Sequence, residues 1–181
     1  MSNKIILDLC GGSGAWSKPY KDCGYDVRLI TLPENDVCTY EPPENVYGVL
    51  AAPPCTDFAS SGARWFKEKD MNGSTIENQG IVIACLRIIA KCRPKWWALE
   101  NPVGRLRRWM GNPVLIFNPC DYGDPYTKKT LLWGDFKIPR KNQVEPIEGS
   151  KMHLLPPSKD RAALRSITPA GFANAFFEVN K

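Results

Sequence analysis

Cys55 stands directly after Pro53 and Pro54, at the end of the apolar run Tyr47–Ala51. Proline lacks a backbone donor and fixes φ, so the pair cannot extend a strand and presents the thiol on a stiff turn. A thiol held at a strand end can act as a nucleophile once it loses its proton. Taken alone, Pro-Pro-Cys fits an inert, buried cysteine better. A second group, Glu100-Asn101, closes the apolar run Trp96–Leu99. A carboxyl in so poorly hydrated a place has a raised pKa and can stay protonated near neutrality, as a general acid must. The same fragment fits a salt-bridge partner or a helix N-terminal carboxylate. The third group is Asp8-Leu9-Cys10-Gly11-Gly12-Ser13-Gly14. A glycine-rich turn after a strand lets a ligand approach the backbone, although a tight structural turn looks the same. It lacks the Gly-Lys-Ser/Thr of a phosphate loop and does not follow GxGxxG spacing, which disfavours nucleoside triphosphates and dinucleotides.

These groups need elements to carry them. Ile5–Cys10 is expected to be a buried first strand, Ala15–Cys23 a helix, Asp26–Thr31 a second strand and Tyr47–Ala51 a third. Residues 60–73 are polar and charged and are expected to form a mobile loop. Apolar spacing predicts a helix over Thr75–Lys91, capped by Ser74. Trp96–Leu99, Val114–Phe117 and Thr130–Trp133 are expected to be strands, and Val103–Met110 a short basic helix. Residues 137–164 read mostly as loop. Thr168–Val179 reads as a terminal helix, with Thr168 as cap and Pro169 at its first position. Strands alternating with helices predict a single α/β domain over 1–181, built on a mostly parallel twisted sheet with helices on both faces.

The 181 residues suffice for one domain with a core. No apolar run approaches a membrane span, and MSNKIILDL lacks a signal-peptide pattern. Seven cysteines, an odd number without a CxxC, argue against a disulfide framework or a zinc site and for a reducing cytosol. The single histidine, His153, makes a histidine-based metal centre unexpected, so no metal is assigned. Charge is lopsided: residues 1–90 hold 8 Lys/Arg and 11 Asp/Glu, whereas residues 91–181 hold 16 and 8. A basic half with interleaved aromatics suits a polyanion such as nucleic acid, and a plain solvated face is the alternative.

Five stretches decide between these readings by their order: DLCGGSGAWS (8–17), AAPPCTDFAS (51–60), WWALENPVGRL (96–106), DYGDPYTKKTLLWG (121–134) and RSITPAGFANAFF (165–177). Together they resemble the cytosine-5 DNA methyltransferase family, most of all its compact bacteriophage forms, over almost the whole chain. The resemblance implies the S-adenosylmethionine-dependent methyltransferase fold. It implies that Cys55 adds to carbon 6 of cytosine while Glu100 holds and protonates ring nitrogen 3, and that Asn101 positions the loop. Carbon 5 then takes the methyl group of S-adenosylmethionine. Water or a carboxylate removes the carbon 5 proton, and elimination frees Cys55. The cofactor would lie along Asp8, Leu9, Gly12, Gly14 and Trp16, near Pro53. Asp36 would sit near the adenine and Glu34 is a candidate for the ribose. Asn174 matches the terminal-helix asparagine. Arg64, Arg105, Arg107 and Arg108 would contact DNA phosphates. A phage enzyme of this kind would work in the host cytoplasm and protect DNA from restriction.

Three departures qualify the resemblance. The family's QxRxR block reads Tyr126-Thr127-Lys128-Lys129-Thr130, with Lys128 on the first arginine. Lysine cannot copy the planar guanidinium fork. The glutamate of the second block is shifted, leaving Glu34 as its candidate. Only residues 135–164 stand where a target-recognition region is expected. A cytosine must leave the duplex stack to react, at a cost of a few kcal/mol. A short chain could read a small site, need a partner protein or second copy, or act on single strands, RNA or nucleotides. A degenerate binding module is the non-enzymatic alternative, though such a module needs neither Cys55 nor Glu100.

Overall fold

The structure is a computed structural model that describes residues 4–181. Residues 1–3, the start of the segment read above for a signal peptide, lie outside the described residues. The first half alternates strand and helix: β1 (Ile5–Leu9), α1 (Lys18–Asp22), β2 (Asp26–Ile30) and β3 (Val46–Ala51). A 3-10 turn (Ser60–Trp65) leads into α2 (Phe66–Met71), α3 (Ser74–Cys92) and β4 (Trp96–Pro102). Then follow α4 (Arg107–Met110), β5 (Leu115–Phe117), β6 (Thr130–Asp135), α5 (Lys151–Leu154), α6 (Arg161–Ser166) and α7 (Ala170–Asn180).

The described strands form one sheet in the order β2-β1-β3-β4-β6-β5. The ladders among β2, β1, β3 and β4 are parallel, and β6 runs antiparallel to both β4 and β5. The expected α/β sheet, mostly parallel with helices on both faces, is therefore what the chain builds. Alternation along each strand divides the core. Leu7, Leu9, Val49, Ala51, Leu99, Leu131 and Trp133 face one side, where α3 packs with Val82, Cys85 and Ile88. Ile6, Leu50, Ala98 and Leu132 face the other, against Trp16, Tyr20, Phe172 and Phe176 of the α1 and α7 layer.

Several boundaries differ from expectation. Residues 12–17 form turns, so α1 begins at Lys18 and not at Ala15. The N-cap of α3 is Gly73, and Ser74 instead turns its hydroxyl to Asp57. Ile76 and Ile83, counted on the apolar face of α3, are exposed. The basic helix is only the four residues of α4. Pro169 is the N-cap of α7, one position later than expected. Residues 137–164, read as loop, contain α5 and the start of α6. The segment 60–73 is not an irregular loop: it carries the 3-10 turn and α2.

Candidate active site

Cys55 sits past the end of β3 and Glu100 near the end of β4, and these strands are parallel neighbours. Their C-terminal ends therefore lie side by side, at the edge where open α/β sheets gather ligands. Consecutive residues of a strand point to opposite faces, and this separates the tasks of Glu100 and Asn101. Glu100 has the parity of Ala98 and faces a small cavity walled by Trp16, Phe117, Lys128, Thr130 and Phe172. Asn101 has the parity of Leu99, is fully buried, and donates through Nδ2 to the Pro53 carbonyl at 3.0 Å. One bond thus ties the Glu100 strand to the turn that carries Cys55.

The electrostatics follow from this placement. Loss of water raises the Cys55 pKa, and the nearby Glu100 charge raises it further, while Lys128 and Arg165 pull it down. Burial likewise raises the Glu100 pKa, with Lys128 opposing. Lys128 therefore serves both groups, favouring thiolate and carboxylate alike. Arg165 escaped the reading of the sequence. It lies on α6, far along the chain, and only folding brings its charge near Cys55.

A second residue escaped as well. Asp57 is buried two positions after Cys55 and accepts from Lys69 Nζ at 2.5 Å, from Ser74 Oγ at 2.5 Å and from Asn78. Burial pushes its pKa up, but these donors outweigh burial and hold it below the usual carboxylate range. Arg105 fastens the same region. Its Nε donates to the Asp57 carbonyl at 2.7 Å, Nη1 pairs with Asp70 at 2.8 Å, and Nη2 donates to Thr75 Oγ1 at 2.6 Å. Its guanidinium lies 3.9 Å from the Phe66 ring centroid. Arg105 was expected on phosphates; instead it is buried and its donors are committed within the protein. Arg64, Arg107 and Arg108 are exposed, as a phosphate contact requires.

The residues expected around S-adenosylmethionine divide. Gly12 and Gly14 take positive φ, 53° and 69°, in the turn after β1, and nothing lies within 4 Å of a Cβ built on Gly12. Asp8 is fully buried under this turn; Ser17 Oγ donates to its Oδ2 at 2.5 Å, while Oδ1 has no partner. Burial pushes its pKa up to about 6, the Ser17 hydroxyl opposing. Asp36 is exposed in the loop after β2, and its Oδ1 accepts from the Cys38 amide at 2.9 Å. Glu34 is exposed in the same loop. An unpaired buried carboxyl oxygen, a glycine-rich turn with open space at Gly12 and two exposed carboxylates fit a cationic molecule bearing a ribose. Three expectations fit less well. The Leu9 side chain is fully buried in the α3-side core, which leaves only its backbone for a ligand. Trp16 is buried against Phe172 and Phe176, with its Nε1 unpaired, so it walls the Glu100 cavity from within. Asn174 is exposed on α7, and the buried asparagine of that helix is Asn180, bonded to the Lys137 backbone.

No family model matches the chain. The chain is 25% identical, over an alignment of 197 residues, to the type II methyltransferase M.DdeI of Desulfomicrobium norvegicum. That alignment covers 85% of this chain and 44% of the relative, so the chain spans less than half of that relative's length. A solved E. coli structure, described as a DNA modification methyltransferase encoded within a prophage, superposes with a TM-score of 0.54 at 14% identity. It matches 78% of this chain and 52% of its own. The α/β architecture is thus a methyltransferase-like fold, and the resemblance to DNA methyltransferases holds in sequence as well.

Proposed function

We propose that the chain methylates carbon 5 of cytosine in DNA through a covalent adduct at Cys55. The observation that carries this reading is the pairing of an exposed thiol and a raised-pKa carboxyl at the ends of two adjacent parallel strands, with the Lys128 charge acting on both. A pure binding module would need neither group.

Each residue then has a task. Glu100, whose pKa burial raises, holds ring nitrogen 3 and gives it a proton, which drains electron density from carbon 6. The Cys55 thiolate forms the sulfur–carbon 6 bond, and the displaced electron pair builds up at carbon 5. When bound, S-adenosylmethionine supplies an electrophilic methyl group to that carbon. Water or a carboxylate then takes the carbon 5 proton, the carbon 5–carbon 6 double bond re-forms as the sulfur–carbon bond breaks and frees the thiolate, and ring nitrogen 3 returns its proton to Glu100. Lys128 and Arg165 favour that thiolate as it leaves. Asn101 keeps the Cys55 turn in register with Glu100. Asp8, Gly12, Gly14, Asp36 and Glu34 would hold the methyl donor, and Arg64, Arg107 and Arg108 the phosphates. Residues 135–164 would form a reduced target-recognition segment, and the host cytoplasm would be the place of action.

Bisulfite sequencing of DNA from cells expressing the chain tests this. Protected cytosines in a defined context are expected with the native chain and none with Cys55→Ala. Equal conversion in both samples would refute the reading.

A further inference from the structure

Of the six tryptophans, Trp16, Trp96 and Trp133 are buried, whereas Trp65 is 49% and Trp109 50% exposed. Both exposed indoles belong to the segments that flank Cys55. Trp65 ends the 3-10 turn and walls an open cleft of about 400 Å³ beside Thr56, the residue after Cys55. Trp109 lies on α4 with its ring 5.8 Å from that of Phe58, three residues after Cys55. The two segments are joined. Ala59 bridges Gly104, the Ser60 amide bonds the Val103 carbonyl at 2.8 Å, and Arg105 ties both to Phe66. The cleft wall is mixed, with Glu68 and the Lys69–Asp57 pair in it, and the cations gather beside the two indoles. Arg64 stands 5.2 Å from the Trp65 ring centroid, and Arg107 and Arg108 precede Trp109. None of these three arginines joins an ion pair among the described residues.

Tryptophan is enriched at binding interfaces, and the charge around these two indoles decides which kind of partner they suit. An acidic rim would suit a basic protein; three exposed guanidinium groups without a carboxylate partner among the described residues, one of them (Arg107) bonded to the Asn112 side chain, suit a phosphate backbone. Indole faces hold bases that are not already stacked in a duplex. We propose that Trp65 and Trp109 form an aromatic lip that stacks the unpaired nucleotides beside the target cytosine, so that the chain prefers single-stranded or locally unpaired DNA. This rests on the reading that Cys55 faces a DNA cytosine, and it names the form of DNA that reaches it. The preference also matches the small recognition segment. Extruding a base from paired duplex costs a few kcal/mol, and a strand already unstacked avoids much of that cost.

The test is a fluorescence titration of the full chain, without cofactor, using short oligo-deoxythymidine and a hairpin duplex of equal strand length. Because three of the other indoles are buried, quenching reports chiefly on the lip. The single strand is expected to quench and to bind roughly 5- to 100-fold tighter than the hairpin. Trp65→Ala and Trp109→Ala should each lose a similar factor, while Trp65→Phe and Trp109→Phe keep most of it. A fold defect would lower all four variants together and show in circular dichroism. Equal affinity for both forms, or alanine variants that bind like the native chain, would overturn the lip. Quenching by neither form would assign this surface to another protein and overturn it too. No cytosine and no methyl transfer enter the titration. The lip can therefore fail while bisulfite protection stands, and protection can fail while the lip stands.

Discussion

Lys128 stands where it lowers the pKa of both Cys55 and Glu100, yet the proposed chemistry needs the first deprotonated and the second protonated. Methyl transfer should therefore rise with pH as the thiolate forms and fall as Glu100 loses its proton. Glu100→Gln, which keeps the hydrogen bond but not the transferable proton, should slow transfer about 100-fold or more and abolish the falling limb. Cofactor affinity, read by calorimetry, should stay close to native. Lys128→Met removes the cation, so the alkylation midpoint of Cys55, followed by peptide mapping with iodoacetamide, should move to higher pH. Asp8 supplies a separate pH effect. Its folded-state pKa, about 6, lies above the ordinary carboxylate range, so the folded state binds the proton more tightly than the unfolded chain. Stability should be full below that range and decline as pH rises through 6, by up to about 3 kcal/mol, with Asp8→Asn flattening the trend in urea titrations. Cys55 and Glu100 stood out because each ends an apolar run, but it was the order of the five stretches that set them apart from an inert cysteine and a salt-bridge carboxylate. Arg165 was not, since a charge on a distant helix reaches the thiol only after folding. Trp16 was expected at the cofactor through the family resemblance, but it packs inward against Phe172 and Phe176.

The segment after Cys55 shows why local pattern misled about an element. Residues 60–73 are polar and charged, which reads as a solvated loop. Two of the charges are instead spent on non-local pairs: Lys69 with Asp57, and Asp70 with Arg105. Nothing within the segment itself announces those partners. Likewise the Arg105–Arg108 run offers three arginines and no sign of which one turns inward. Arg105→Ala would leave Asp70, Thr75 and the Asp57 carbonyl without their donor, and should cost roughly 2 kcal/mol of stability. It should also open residues 60–73 to proteolysis, and a cycle with Asp70→Asn should show coupling. Gly104 adds a steric counterpart: a Cβ there would meet the Phe58 carbonyl oxygen at 1.8 Å. Gly104→Ala should push the Cys55 loop outward and destabilise by about 1–3 kcal/mol in thermal unfolding. That the sheet is mostly parallel was readable from the alternation of strands with helices. The reversal of β6 was not, because a short apolar run looks the same in either direction.

Charge over the full chain sets how DNA would be met. The basic excess lies in residues 91–181, but Arg105 is withdrawn from it, so exposed groups such as Arg107 and Arg108 should carry the phosphate contacts. Affinity should fall steeply with salt, and Arg108→Ala should lower the salt slope by about one, whereas Arg105→Lys should not. The chain spans less than half the length of M.DdeI, and the proposed reading rests on the chemistry at the strand ends. That chemistry has one direct signature. Intact-mass spectrometry of the chain mixed with S-adenosylmethionine and an oligonucleotide bearing 5-fluorocytosine should show a species heavier by the oligonucleotide plus one methyl group, mapped to Cys55 and missing in Cys55→Ala. An adduct that persists in Cys55→Ala, or methylation of ordinary cytosine by that variant, would contradict a covalent mechanism at Cys55.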